Sequence, residues 1–210
     1  MDTCVMNALQ RTPEWLAARA GRLTASRLPL AIARTKSGWG ASRANLMAEL
    51  LVERITGQPV PSYESAAMAW GTENEPFARA AYEFYRDVTV DLVGFIEHPR
   101  IAMAGCSPDG VVGADGLVEF KCPNSATHIE TLLSKRFDGR YLTQCQWQLA
   151  TTGFKWVDLT SFDPRMPEHL RLFVLRIERD DDYIAELESL AEDFLRELAE
   201  KVMRLGALAA

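Results

Sequence analysis

The segment Leu117–Cys122 reads LVEFKC, an apolar run that carries Glu119 and Lys121 two residues apart. Side chains on a strand alternate between faces, so Leu117, Glu119 and Lys121 share one face and Val118, Phe120 and Cys122 the other. Burying a carboxylate and an ammonium without partners is costly. The two groups therefore form a structural ion pair or line a site that binds a cation. Asp109 favours the second reading. It lies ten residues upstream in Ser-Pro-Asp-Gly, and a hairpin-like return through Gly113–Gly116 brings it beside Glu119. Two carboxylates and the backbone carbonyl of Phe120 make an oxygen-rich site suited to a hard cation such as Mg²⁺, with water completing the shell. Such an ion lowers the pKa of its water and screens a phosphate. Lys121 is then placed to hold or activate that water, or to steady charge on phosphorus.

The elements that must position these residues follow from periodicity. Residues 13–34 read as helical pieces, with Thr24 and Ser26 as possible caps and Pro29 as a helix opener. Residues 35–41, TKSGWGA, read as a turn-rich loop. Leu46, Met47, Leu50, Leu51 and Ile55 give residues 44–55 a helical period, closed by Gly57-Gln58-Pro59. A second helix is expected over 72–86, where Pro76 is tolerable only near the first turn. Short β-rich runs follow at 88–96, 101–106 and 117–122, then a helix at 140–151 and strands at 157–162 and 172–177. The last helix, about 181–205, has an apolar stripe from Ile184 through Leu187, Leu190, Phe194, Leu195 and Leu198 to Val202. The order predicts a mixed sheet flanked by helices, α/β or α+β, as a single domain over 1–210.

Composition removes several function classes. No run of 18 apolar residues exists, so no membrane span is expected. The N-terminus lacks the features of a secretion signal, which predicts a cytoplasmic protein. Cysteines at 4, 106, 122 and 145 have no CxxC spacing, which argues against a zinc ribbon or iron–sulfur set and for small buried thiols. The formal charge is −6, but residues 178–204 carry ten acids against four bases and residues 1–43 seven bases against two acids. A basic N-terminal surface facing a polyanion is therefore compatible with the acidic total.

The spacing D-x9-E-x-K resembles the PD-(D/E)XK nuclease motif. Taken with MAWGTENEPFARAAYEFY (68–85), AGCSPDG (104–110), LVEFKCP (117–123), YLTQCQWQLATTG (141–153), SFDPRM (161–166) and WLAARAGRLTASR (15–27), the chain resembles the phage lambda exonuclease and YqaJ viral recombinase group. The resemblance implies a restriction-endonuclease-like fold. It also implies a Mg²⁺-dependent enzyme, with Mn²⁺ an accepted substitute, that holds two ions per site. Such an enzyme releases 5′-mononucleotides from the 5′-ended strand of linear duplex DNA and leaves a 3′ tail. Asp109, Glu119, Lys121 and Glu75 are then catalytic, with Asp109, Glu119, Glu75 and the Phe120 carbonyl on metal. Arg19, Ser26, Ser107 and Gln144 grip the 5′-phosphate. Lys36 and Arg34 reach DNA from a basic loop, and Met68 acts as a wedge between terminal base pairs. The resemblance further implies a ring-shaped homotrimer, a single-strand annealing protein as partner, and a phage or prophage origin in a bacterial host.

Some residues carry rival readings. Thr72-Glu73-Asn74-Glu75 also fits a capping box, with Glu75 closing back on a helix start. Gln144 and Gln148 lie at i and i+4 on one helix face, and two glutamines on the inner side of an apolar helix are hard to explain as core. An endonuclease or junction resolvase of the same fold, or an inactive DNA-binding module of a recombination complex, are the alternative functions.

Overall fold

The computed structural model describes residues 10–61 and 65–209. In chain order the elements are α1 (Pro13–Arg19), β1 (Leu23–Thr24), α2 (Leu28–Ala31), β2 (Arg34–Thr35), β3 (Gly38–Trp39), α3 (Ala41–Thr56), α4 (Ala66–Arg86) and β4 (Val90–Asp91). There follow β5 (Ile96–Glu97), β6 (Ala104–Cys106), β7 (Gly110–Val112), β8 (Gly116–Lys121), α5 (Ser125–Ser134), α6 (Gly139–Thr152), β9 (Trp156–Phe162), β10 (Leu172–Glu178) and α7 (Asp181–Gly206).

The main sheet has the order β10-β9-β8-β7-β4. Strands β8 and β9 run parallel through the α5–α6 crossover, and all other pairs in this sheet are antiparallel. A smaller sheet, β1-β6-β5, stands beside it. The alternation expected of β8 holds. Val118 and Phe120 pack with Ala78 and Tyr82 of α4, while Leu117 packs with Cys145 and Leu149 of α6. Covered on both faces, β8 reads as a nearly unbroken apolar run, and that is why its two charged residues stand out. The third core joins α2, α3 and the stripe of α7 to the small sheet around Trp147.

Several local expectations change. Helix α4 starts at Ala66, six residues earlier than the sequence pattern placed it, and is capped by Ser65, whose Oγ accepts from the Met68 N–H at 3.2 Å. Pro76 therefore lies inside the helix, and Thr72–Glu75 form no capping box. The tertiary packing of Ala78 and Tyr82 holds the helix through the proline. Neither Thr24 nor Ser26 caps α2, which has no side-chain cap. Residues 34–39 form a small hairpin rather than a plain loop, and α5 was not anticipated. Cys106 and Cys145 are buried thiols and Cys122 is half-buried; Cys4 lies outside the described residues.

Gly110, next to Asp109, fixes the approach of β7 to its neighbour. A Cβ here would lie 2.1 Å from Val90 Cγ1. Gly110→Ala is expected to destabilise the protein by about 1–3 kcal/mol, the usual range for overpacking. Equilibrium urea unfolding measures it; a change within 0.5 kcal/mol would mean that β4 yields freely.

Candidate active site

β8 ends where β7 has already turned away. The last ladder pair on that side is Gly110 with Val118, so the backbone of Phe120 has no strand partner there. Asp109 fills the gap, its Oδ2 accepting the Phe120 N–H at 2.7 Å. The N–H and C=O of one strand residue point to the same edge, so the Phe120 carbonyl faces the same opening. Asp109 thus reaches the end of β8 because a short hairpin folds it back, as the Gly113–Gly116 return required.

Glu119 projects from the other side of β8 against α6. Its Oε1 accepts from Lys121 Nζ at 2.6 Å and from Gln144 Nε2 at 2.6 Å; its Oε2 accepts from Gln148 Nε2 at 2.6 Å. Lys121 Nζ also donates to Gln144 Oε1 at 3.3 Å and lies 4.7 Å from the centre of the Tyr141 ring. Glu75 enters from α4 and pairs with Arg11 Nη2. Asp109, Glu119, Glu75, Lys121 and Phe120 all line one cleft of about 700 Å³.

Charge immediately around Asp109 is unbalanced. Burial pushes the Asp109 carboxyl well above its usual range, and the nearby Glu119 and Glu75 push it further; Lys121 and the Phe120 N–H only partly offset this. Burial alone would lower the Lys121 ammonium, but Glu119 and Asp109 outweigh it and hold the group firmly protonated. Among the described residues no three His, Cys, Asp or Glu side chains are gathered tightly enough to form a ready-made ligand cage. Glu119 is turned onto its amide and ammonium donors, and Glu75 onto Arg11. The donor set nevertheless fits a hard cation: three carboxylates and a carbonyl line one opening, and the ionised form of Asp109 is destabilised by burial and by its two neighbouring carboxylates.

A second cleft of about 520 Å³ adjoins the first, sharing Arg11, Met68 and Thr72. Arg19 and Trp15 line it. The Arg19 guanidinium sits 4.2 Å from the Trp15 ring centre, and both residues donate to Ser107 Oγ, at 3.1 and 3.0 Å. Among the described residues no carboxylate pairs with Arg19. Burial, then the charge of Arg27, lowers its pKa to about 10. A partly buried guanidinium without an anion suits a phosphate.

The other site residues expected from sequence are placed less centrally. Gln144 gives its amide N–H to Glu119, so its group is spent on the carboxylate rather than held open. Ser26 is exposed beside Thr24, 3.5 Å between hydroxyls, and lines neither cleft. Met68, 54% exposed, borders both clefts. Arg34 and Lys36 lie on the exposed β2–β3 hairpin, where Trp39 stacks between Arg34 and Arg43, away from both clefts. The basic N-terminal and acidic C-terminal segments also meet directly: Arg43 of α3 pairs with Glu197 of α7 at 2.7 Å.

Sequence reasoning missed Arg11, Trp15, Arg140 and Arg165 as cleft residues. Arg165 is held over Trp70 at 4.3 Å by a bidentate pair with the buried Asp163. The available signal was only the two-residue spacing of Asp163 and Arg165 around a proline.

The sheet with a strand-end Asp, a central Glu-x-Lys and a flanking Arg cleft defines a chain of the YqaJ-like viral recombinase domain family, whose model matches residues 14–155; the protein belongs to that family. Two crystal structures of the alkaline exonuclease (LHK-Exo) from Laribacter hongkongensis, one in complex with dAMP, are similar to it at 47% identity and a TM-score of 0.88. The match covers 94% of this chain and 98% of that one. This likeness places the protein among nuclease enzymes. A phage related exonuclease from Haemophilus somnus 129PT shares the fold at 15% identity and a TM-score of 0.65, over 86% of this chain and 96% of that one. No curated protein gives a significant match. Among the described residues no helix is long and apolar enough to cross a membrane.

Proposed function

We propose that the protein is a Mg²⁺-dependent exonuclease that degrades the 5′-ended strand of linear duplex DNA and leaves a 3′ single-stranded tail. The observation that carries this reading is the meeting of two clefts: one lined by Asp109, Glu119, Glu75 and Lys121, the other by Arg19, which has no carboxylate partner among the described residues. Asp109, Glu119, Glu75 and the Phe120 carbonyl would hold one or two divalent ions, Mg²⁺ or in its place Mn²⁺. Bound there, the ions supply an acidified water and charge neutralisation at the phosphodiester.

The chain's own residues do the rest. Lys121, kept protonated between two carboxylates, donates to the phosphate or the incoming water and steadies developing charge; it does not remove a proton. Arg19 and Ser107 hold the terminal 5′-phosphate in the second cleft, so the bond cut is one nucleotide away. Met68, at the border of the two clefts, suits a wedge that parts the terminal base pair. Arg34 and Lys36 give the β2–β3 hairpin the charge to follow the duplex backbone. Glu75, in mid-helix rather than at a cap, serves the cleft. In keeping with the family resemblance, the protein works in the cytoplasm of a bacterial host as a ring-shaped homotrimer. It passes its tails to a single-strand annealing protein.

Digestion of end-labelled duplex with Mg²⁺, with and without a 5′-phosphate and beside a closed circle, tests this. Release of 5′-mononucleotides only from linear, 5′-phosphorylated ends is expected. Cutting of the circle would replace the exonuclease with an endonuclease. Arg19→Ala is expected to raise KM for phosphorylated ends by about 10- to 100-fold, the worth of one charged hydrogen bond, with little change in kcat. Equal preference for phosphorylated and hydroxyl ends in the parent protein would remove Arg19 from this role.

A further inference from the structure

Gln148 has no place in the reaction as described so far. It lies at the centre of α6 and is 0% exposed. Its Nε2 donates to Glu119 Oε2 at 2.6 Å, while its Oε1 is buried with no hydrogen-bond partner among the described residues. A core position would favour an apolar side chain of the same shape, since an unpartnered buried oxygen is costly. Leu149 and Cys145, its neighbours on α6, are apolar and buried.

The cost is explained by what Gln148 does to Glu119. Lys121 and Gln144 both take Oε1, and Gln148 is the donor on Oε2. With both oxygens held, the carboxylate has a fixed plane. An amide supplies that hold without adding charge, whereas an arginine or lysine in its place would cancel the negative charge that draws a divalent ion. We infer that Gln148 is a positioning residue: from inside α6 it orients the Glu119 carboxylate for a divalent cation while leaving the charge of the site unchanged. This rests on the metal-binding part of the proposed reading, that the cleft holds a divalent ion.

Gln148→Met keeps the volume and removes both the donor and the orphaned oxygen. Calorimetric titration with Mn²⁺ is expected to show binding about 10- to 100-fold weaker than in the parent, the usual loss when a group that orients a metal ligand is removed. The melting temperature without metal is expected to be the same or higher, because a buried oxygen without a partner has gone. In cleavage assays the Mg²⁺ concentration for half-maximal rate rises, and KM for DNA at saturating Mg²⁺ does not. Should the Met variant fail to fold, Gln148→Asn, which keeps the amide but withdraws it by one methylene, gives the same comparison and the same expected weakening. Mn²⁺ affinity within about twofold of the parent would overturn the inference, whatever happens to stability. A parent that binds Mn²⁺ but cuts no DNA would sink the nuclease reading and leave this inference standing; a parent that binds no Mn²⁺ would remove both.

Discussion

Asp109→Asn is expected to slow cleavage of duplex ends by about 10³-fold, on the scale of losing one preorganised charge-stabilising group. The same variant is expected to melt, in metal-free buffer, no lower than the parent. The two effects have one cause. Asp109 is half-buried and stands near Glu119 and Glu75; desolvation and those two carboxylates raise its folded-state pKa well above that of the unfolded chain. Across the window from the ordinary carboxylate pKa, about 3.9, up to the raised value, the folded protein binds more protons than the unfolded one. Stability therefore falls as pH rises through that window, because the ionised carboxylate is a strain on the metal-free protein. Asparagine removes the charge, and its carbonyl oxygen can still accept the Phe120 N–H. Mg²⁺ gives the complementary readout: at one hundred times its Kd a ligand bound only by the folded state stabilises by about 2.7 kcal/mol. That increment is expected in the parent and largely lost in the variant. A variant that still cleaves at the parental rate, or that melts well below it without metal, would make Asp109 a structural residue.

Asp158→Ala is expected to have the largest effect on stability, a loss of about 3–5 kcal/mol. Asp158 is fully buried on β9, facing α4. Its carboxylate accepts from Tyr82 Oη at 2.8 Å and from Arg176 Nε and Nη2, each at 2.9 Å, with Arg86 3.3 Å away. Burial first, then Asp158, raises the Tyr82 phenol far above its ordinary pKa. Removing the acid leaves that buried hydroxyl without its acceptor and strands Arg176 over Trp156, 3.7 Å from the ring centre. Because Arg176 and Arg86 are partly exposed and can turn to water, the loss falls toward the lower end of the range. A domain of this kind has about 5–15 kcal/mol in total, so the variant stands near its limit. Urea unfolding at constant slope measures it, and a loss below about 1 kcal/mol would show that the network breaks even.

Much of the site was legible because it rests on local rules. The strand period placed Val118 and Phe120 on a face in apolar packing and Glu119 and Lys121 on the opposite face, and the glycine turn required Asp109 to return beside them. The i, i+4 spacing of Gln144 and Gln148 put both amides on one inner helix face, which in the structure meets Glu119. What failed was also local in kind. Thr72–Glu75 has the letters of a capping box, and a proline inside a helix is unfavourable. Yet the packing of α4 on the sheet carries the helix from Ala66 past Pro76.

The amino-acid sequence by itself determined the alternation of β8, the mixed α/β order, the membership of Asp109, Glu119 and Lys121 in one motif, and the uneven spread of charge. These depend on neighbours within a few residues or on periods of two and 3.6, which the chain states directly. Only the tertiary structure decided that Glu75 is paired with Arg11, 64 residues away, that Arg19 donates to Ser107, and that both oxygens of Glu119 are held from α6. Such contacts join segments far apart in the chain. Which donor meets which carboxylate is set by how helices seat on the sheet, a competition among packing and desolvation energies with no local trace.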